Sequence, residues 1–257
     1  MTFNDNAQLD TSQIESRGGG GGYGGGGYGG GGGNFPGGIR VGGGIGGLIL
    51  LVLMLIFGKG ALSGGTTVDT GVSNGSSRVL QPAQVSAGGQ VDSGQISSCK
   101  TGADANRSDA CLVVATVNSV QDFWKNAAPD YGFNYTMAKT VLYQGQTQSA
   151  CGTASNQVGP FYCPLDQKVY IDASFFQLLT QRFGADGGQL AKEYVIAHEY
   201  GHHVQDLIGA LNASQQDPQG PESGSVRVEL MADCFAGVWV NHATETKDAN
   251  GTALLKP

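Results

Sequence analysis

The chain is poor in basic residues: its 257 positions hold 14 Lys and Arg against 21 Asp and Glu, a formal net charge of -7. Nucleic-acid binding depends on clustered cations that displace counterions from phosphates, so no nucleic-acid partner is expected. Cysteine is absent before Cys99, and charge of either sign is absent between Arg40 and Lys59.

Glycine is plentiful instead, with 44 residues, many of them crowded into the interval 18–47 and broken by Tyr23, Tyr28, Phe35 and a few others. Such a stretch buries too little apolar surface to offset backbone entropy. Residues 1–40 are therefore expected to form a disordered Gly-rich tail. Arg17 and Arg40 are its only cations, and there is no Arg-Gly-Gly repeat of the RNA-binding kind. The uncharged interval that follows contains the apolar run Ile45 to Phe57. Crossing a hydrocarbon layer of ~30 Å takes roughly 17 to 25 residues of helix, so 41–58 is read as a single transmembrane anchor. The region before it is too long and too acidic for a signal-peptide n-region, and no A-x-A site follows. Residues 59–96, rich in Gly, Ser and Thr, read as a flexible linker to a folded domain over 97–257.

The five cysteines, Cys99, Cys111, Cys151, Cys163 and Cys234, all fall in or next to that domain. The segments between Cys99 and Cys111 and between Cys151 and Cys163 are short and rich in turn formers, so these two pairs are the disulfide candidates and Cys234 is left over. Disulfides imply an oxidising compartment. Basic flanks do not orient the anchor, so the cysteines decide: the domain is expected outside the cytosol and the glycine tail inside.

Within the domain, Val113, Val117, Val120 and Trp124 recur at helical spacing, Thr140 to Tyr143 and Lys168 to Ile171 are candidate strands, and Ala173 to Ala243 reads as mostly helical. The order helix, small sheet, helices gives an α+β fold. The segment from Gln189 to Leu207 contains His198-Glu-Tyr-Gly-His202, an H-E-x-x-H pattern. Residues four apart on a helix lie about 40° from each other around the axis, so both imidazoles point at one place, as Zn²⁺ coordination needs. Glu199 sits where a general base could reach a metal-bound water. His203, about 140° round from His198, is expected to face solvent or another surface.

A catalytic zinc takes a third protein ligand and leaves one position open. The metzincin continuation is missing, with Gln205 and Ile208 where Gly and His would stand. Glu229 and Asp233 share a face of a second apolar helix, and Glu229 is favoured as the ligand over Asp206, with Asp233 orienting a histidine. Tyr200, His203 and His242 are candidate oxyanion donors. Gln157 to Cys163 or Lys168 to Asp172 would supply a sheet edge for an extended peptide.

These features resemble a family. Asn118-Ser-Val-Gln-Asp-Phe-Trp124, Gly145-Gln-Thr-Gln148, Val158-Gly-Pro-Phe-Tyr-Cys-Pro164, His198 to Gln205 and Glu229 to Trp239 are similar to segments of the bacterial neutral zinc metallopeptidases, which share the glycine-rich tail and membrane anchor. The resemblance implies a zincin-like domain of the glutamate-zincin kind with one Zn²⁺ per chain on His198, His202 and Glu229, Glu199 catalytic, and peptide or protein substrates. It also implies a further C-terminal segment with another cysteine, so Leu255-Lys256-Pro257 is read as a truncated or divergent end. The alternative is a non-catalytic anchored module whose cleft binds metal or a partner.

Overall fold

In a computed structural model, the described residues are 1–17, 93–155, 158–177, 188–217 and 219–257. They form the mixed helix and sheet fold expected. The strands are β1 (Thr2–Phe3), β2 (Ile14–Arg17), β3 (Lys139–Tyr143), β4 (Gln146–Ser149), β5 (Gly152–Ser155), β6 (Phe161–Cys163), β7 (Lys168–Asp172) and β8 (Leu255–Lys256). The helices are α1 (Ser93–Ser97), α2 (Gly102–Ala105), α3 (Asp109–Ala127), α4 (Gln189–Leu207), α5 (Asn212–Gln216) and α6 (Gly224–His242).

The main sheet runs β2-β3-β7-β6, with β2, β3 and β7 parallel and β6 antiparallel at one edge. Alternation along its strands divides the side chains between two faces. Leu142, Val169 and Ile171 join the main core beside Val113, Val117, Val120 and Trp124 of α3 and Val195, Ile196 and Val204 of α4. Val141, Tyr143 and Tyr170 turn the other way, onto Ala154 of the β4–β5 hairpin and Cys163. Helix α6 is locked to α3 through Trp239, fully buried, whose indole N–H donates to Ser119 Oγ at 3.0 Å. The helix predicted from Val113 to Trp124 is thus a longer one, and both candidate strands are found with extra residues.

Both expected disulfides are present, Cys99–Cys111 with Cα atoms 5.1 Å apart and Cys151–Cys163 with 5.8 Å, and Cys234 is free and exposed. The first ties α1 to the start of α3; the second ties the hairpin to β6.

Two expectations are corrected and a third is narrowed. Residues 1–17 are not tail: β1 pairs with β8, β2 pairs with β3, and Phe3 and Ala7 are fully buried. The glycine bias begins only at Gly18, so composition over 1–40 concealed a segment that folds. Lys168–Asp172 is no sheet edge, since β7 lies between β3 and β6. Of the two settings expected for His203, solvent is excluded and the other surface holds: it is buried, away from the His198–His202 pair. The expected linker and the apolar run 45–57 lie outside the described residues. Among the described residues no helix is long and apolar enough to cross a membrane.

Candidate metal centre

Helices α4 and α6 build the site by packing against each other. The approach is close because position 201 is glycine: a Cβ there would lie 2.9 Å from both Cα and O of Ala232. The H-E-Y-G-H segment therefore supplies the clearance for α6 as well as two imidazoles. Helix α6 is started by Ser223, whose hydroxyl accepts from the Val226 amide at 3.3 Å. One turn before Ala232 this helix presents Glu229 to the histidines.

His198, His202 and Glu229 bring one ligand atom each to within 4.8 Å of one another. Glu229 Oε2 is 3.3 Å from His198 Nε2 and 3.6 Å from His202 Nε2. Ligands about 2.0 to 2.1 Å from a tetrahedral zinc are separated by about 3.4 Å, so the two spacings from Glu229 suit that ion. None of these three atoms completes a hydrogen bond, and neither does either carboxylate oxygen of Glu199, although all are buried. Unpaired buried polar atoms are costly unless something satisfies them. Two imidazole nitrogens and a carboxylate, with a second carboxylate beside them, are the donor set of a zinc site.

The remaining ring nitrogens are held. His198 Nδ1 lies 2.9 Å from Asp233 Oδ1, and the same oxygen accepts from Tyr194 Oη at 2.7 Å. His202 Nδ1 lies 2.8 Å from Gln205 Oε1, while Gln205 Nε2 donates to the carbonyl of Val228 at 2.6 Å. In the neutral ring, the form that binds a metal, each acceptor fixes the proton on Nδ1 and leaves the lone pair on Nε2, facing Glu229.

Burial works against a charged His198, but Asp233, Glu229 and Glu199 outweigh it and hold the imidazole well above its ordinary value. Burial likewise opposes ionisation of Glu229, yet the two histidines hold its carboxyl well below the usual range. Glu199, completely buried, is pushed up chiefly by desolvation, with the histidines and the Tyr162 amide partly offsetting it. The cluster places three carboxyl groups, on Glu199, Glu229 and Asp233, against two imidazoles, a setting that favours a cation.

Other candidates are placed elsewhere. Asp206 accepts from Tyr162 Oη at 2.7 Å and stands outside the cluster. Tyr200 is buried with its hydroxyl 2.9 Å from Thr140 Oγ1, on the sheet side of α4. His203 lies 2.6 Å from the Thr136 carbonyl and 3.1 Å from Tyr162 Oη. His242 stacks on Phe123 and meets Glu245, 13 positions beyond Glu229 and so about 20 Å along the helix axis. None of these three oxyanion candidates is positioned for that role. Sequence reasoning missed Tyr194 and Gln205, the latter noted only as a departure from another family's motif. Its spacing, three residues after His202 on one helix, was the available signal.

The chain is 51% identical to an uncharacterized protein of Mycobacterium tuberculosis over 63% of this chain and 54% of that one. It is 37% identical to the uncharacterized protein YpfJ of Escherichia coli K12 over 79% of this chain and 65% of that one. It thus spans between about half and two thirds of the relatives' length. No solved structure shows significant similarity. The family model described as "Putative neutral zinc metallopeptidase" matches residues 5–253, which takes in both helices of the site and most of the N-terminal segment, and the chain belongs to that family.

Proposed function

We propose that the chain is a zinc-dependent peptidase acting outside the cytosol. The observation that carries the reading is the convergence of His198 Nε2, His202 Nε2 and Glu229 Oε2, all without hydrogen bonds, beside the buried and unpaired carboxylate of Glu199. His198, His202 and Glu229 would hold the ion, which when bound polarises water and carbonyl oxygen. Glu199 would accept a proton from the attacking water and return it to the leaving amine; desolvation raises its proton affinity toward the range such a shuttle needs. Asp233 and Gln205 keep the two imidazoles turned toward the ion.

The substrate edge would be β6, which among the described residues pairs on one side only and whose Tyr162 amide neighbours Glu199. An extended peptide would add there through its main chain. Side-chain selectivity would then be weak, and a cleavage map with one strictly required residue would count against this edge. The two disulfides support an oxidising compartment. The apolar run 45–57 supports association with a membrane.

The test is made on the full chain in mild detergent, with Glu199→Gln beside it. The expected result is about one zinc in each protein, peptide hydrolysis by the parent, and a loss of at least ~100-fold in the variant. A parent that binds zinc but cleaves nothing in a diverse peptide library would favour the binding module instead.

A further inference from the structure

Two polar side chains of the Asn118 to Trp124 stretch play no part in the metal centre, yet both are buried in the side of α3: Asn118 is 7% exposed and Gln121 1%. Both reach partners more than a hundred residues away in sequence, although Gln121 Oε1 also accepts from the nearer Ala138 amide at 2.9 Å. Asn118 Oδ1 accepts from the Asp10 amide at 2.8 Å while its Nδ2 donates to the Asp10 carbonyl at 2.9 Å. Gln121 Nε2 donates to Gln13 Oε1 at 2.7 Å. Asn106 grips Phe3 in the same two-handed way, at 3.0 and 2.9 Å. Gly102 completes the seat, because a Cβ there would fall 2.0 Å from the Asn4 carbonyl oxygen.

Such a seat is specific to its occupant. Removing residues 1–17 would strip Asn118 of both partners and bare the edge of β3, and each buried polar group left unsatisfied costs about 1 to 3 kcal/mol. Residues 1–17 are a fixed part of the domain that carries the metal centre.

That has a topological consequence. The connection 18–92 leaves the folded body at Arg17 on β2 and returns to it at Ser93 on α1. A chain that crossed a bilayer once in between would put β2 and β3 on opposite sides, where they could not pair. Two crossings need two apolar runs of roughly 17 to 25 residues, and the connection contains a single uncharged apolar interval of that length, 41–58. We propose that residues 1–17 share a compartment with the metal centre, so that the chain does not pass across the membrane between Arg17 and Ser93. This inference stands whether or not the site proves to be a peptidase.

The test uses the full chain in its host membrane with Cys234→Ser as background. Asn6→Cys and Asn250→Cys, both at exposed positions, are labelled separately with a membrane-impermeant maleimide in intact and in lysed cells. Both sites should react in the same preparation. In a second variant, Thr2→Cys with Lys256→Cys, directly opposed across β1 and β8, should cross-link under mild oxidation. Reaction of Asn6→Cys and Asn250→Cys from opposite sides, or a Thr2–Lys256 pair that stays reduced while both of its thiols are reactive, would overturn the proposal.

Discussion

Gly201→Ala is a sharp test of how the metal centre is assembled. The added methyl would sit 2.9 Å from Cα and O of Ala232 and 3.2 Å from its Cβ, where carbon contacts normally rest near 3.5 to 4.0 Å. Most of the obstruction is backbone, so relief requires α6 to move outward by roughly half an ångström or more. Overpacking of this kind costs about 1 to 3 kcal/mol, while replacing a helix-interior glycine by alanine returns about 1 kcal/mol. Global stability should therefore fall by no more than about 2 kcal/mol, leaving a folded protein. Zinc affinity should fall further, because Glu229 is one turn from Ala232 and moves with it, away from imidazoles it now meets at 3.3 and 3.6 Å. A loss of about 10-fold or more is expected, on the scale of outer-sphere substitutions in zinc sites. Chelator competition measures the affinity, and far-ultraviolet circular dichroism with urea unfolding measures the fold. Zinc affinity within twofold of the parent would refute the view that helix spacing at residue 201 positions Glu229.

Tyr194→Phe removes one of the two donors to Asp233 Oδ1, so zinc affinity should drop by about 10-fold with helix content unchanged; an unaltered affinity would show that His198 alone holds Asp233. The raised proton affinity of His198 predicts that zinc binding near pH 8 releases a proton from it, where an ordinary histidine of pKa about 6.5 would have none to lose. Calorimetry in buffers of different ionisation enthalpy would count that proton, and a heat independent of buffer would contradict the charge arrangement. Glu193 is fully buried with both oxygens unpaired, and desolvation raises its pKa to about 7. A carboxyl raised in the folded state stabilises while protonated, so stability should decline as pH rises from about 4.5 through about 7, by about 3 kcal/mol. Urea unfolding at pH 5 and pH 8 should show a smaller decline for Glu193→Gln than for the parent, and equal declines would exclude Glu193 as the source.

The candidate metal centre was legible because its parts are local. His198 and His202 stand four apart on one helix, Glu229 and Asp233 four apart on another, and helical periodicity alone turns each pair to a common face. The disulfides were legible for a related reason, since each closes a loop of sequence separation 12 whose composition already favours turns. What the sequence hid depends on partners far along the chain. Tyr194 acquires its role only when α6 brings Asp233 across, 39 residues later. The helical angle leaves His203 turned either to solvent or to another surface, and the choice is made by Thr136, 67 residues before it, whose carbonyl accepts from the ring N–H. The segment 1–17 is the extreme case, with separations above a hundred residues for its bonds to Asn106, Asn118 and Gln121. Its strand β2 spans Ile14–Arg17, too short to show a period, and it exists because β3 offers an unpaired edge. The polar residue at 118 was the clue: an Asn on the buried side of an otherwise apolar helix must bond to something, and it takes a backbone N–H and C=O together from Asp10, 108 residues before it. A buried amide side chain with no local partner is thus a sign that a distant strand docks there, and in this chain it locates the segment that ties the N-terminus to the metal-site domain.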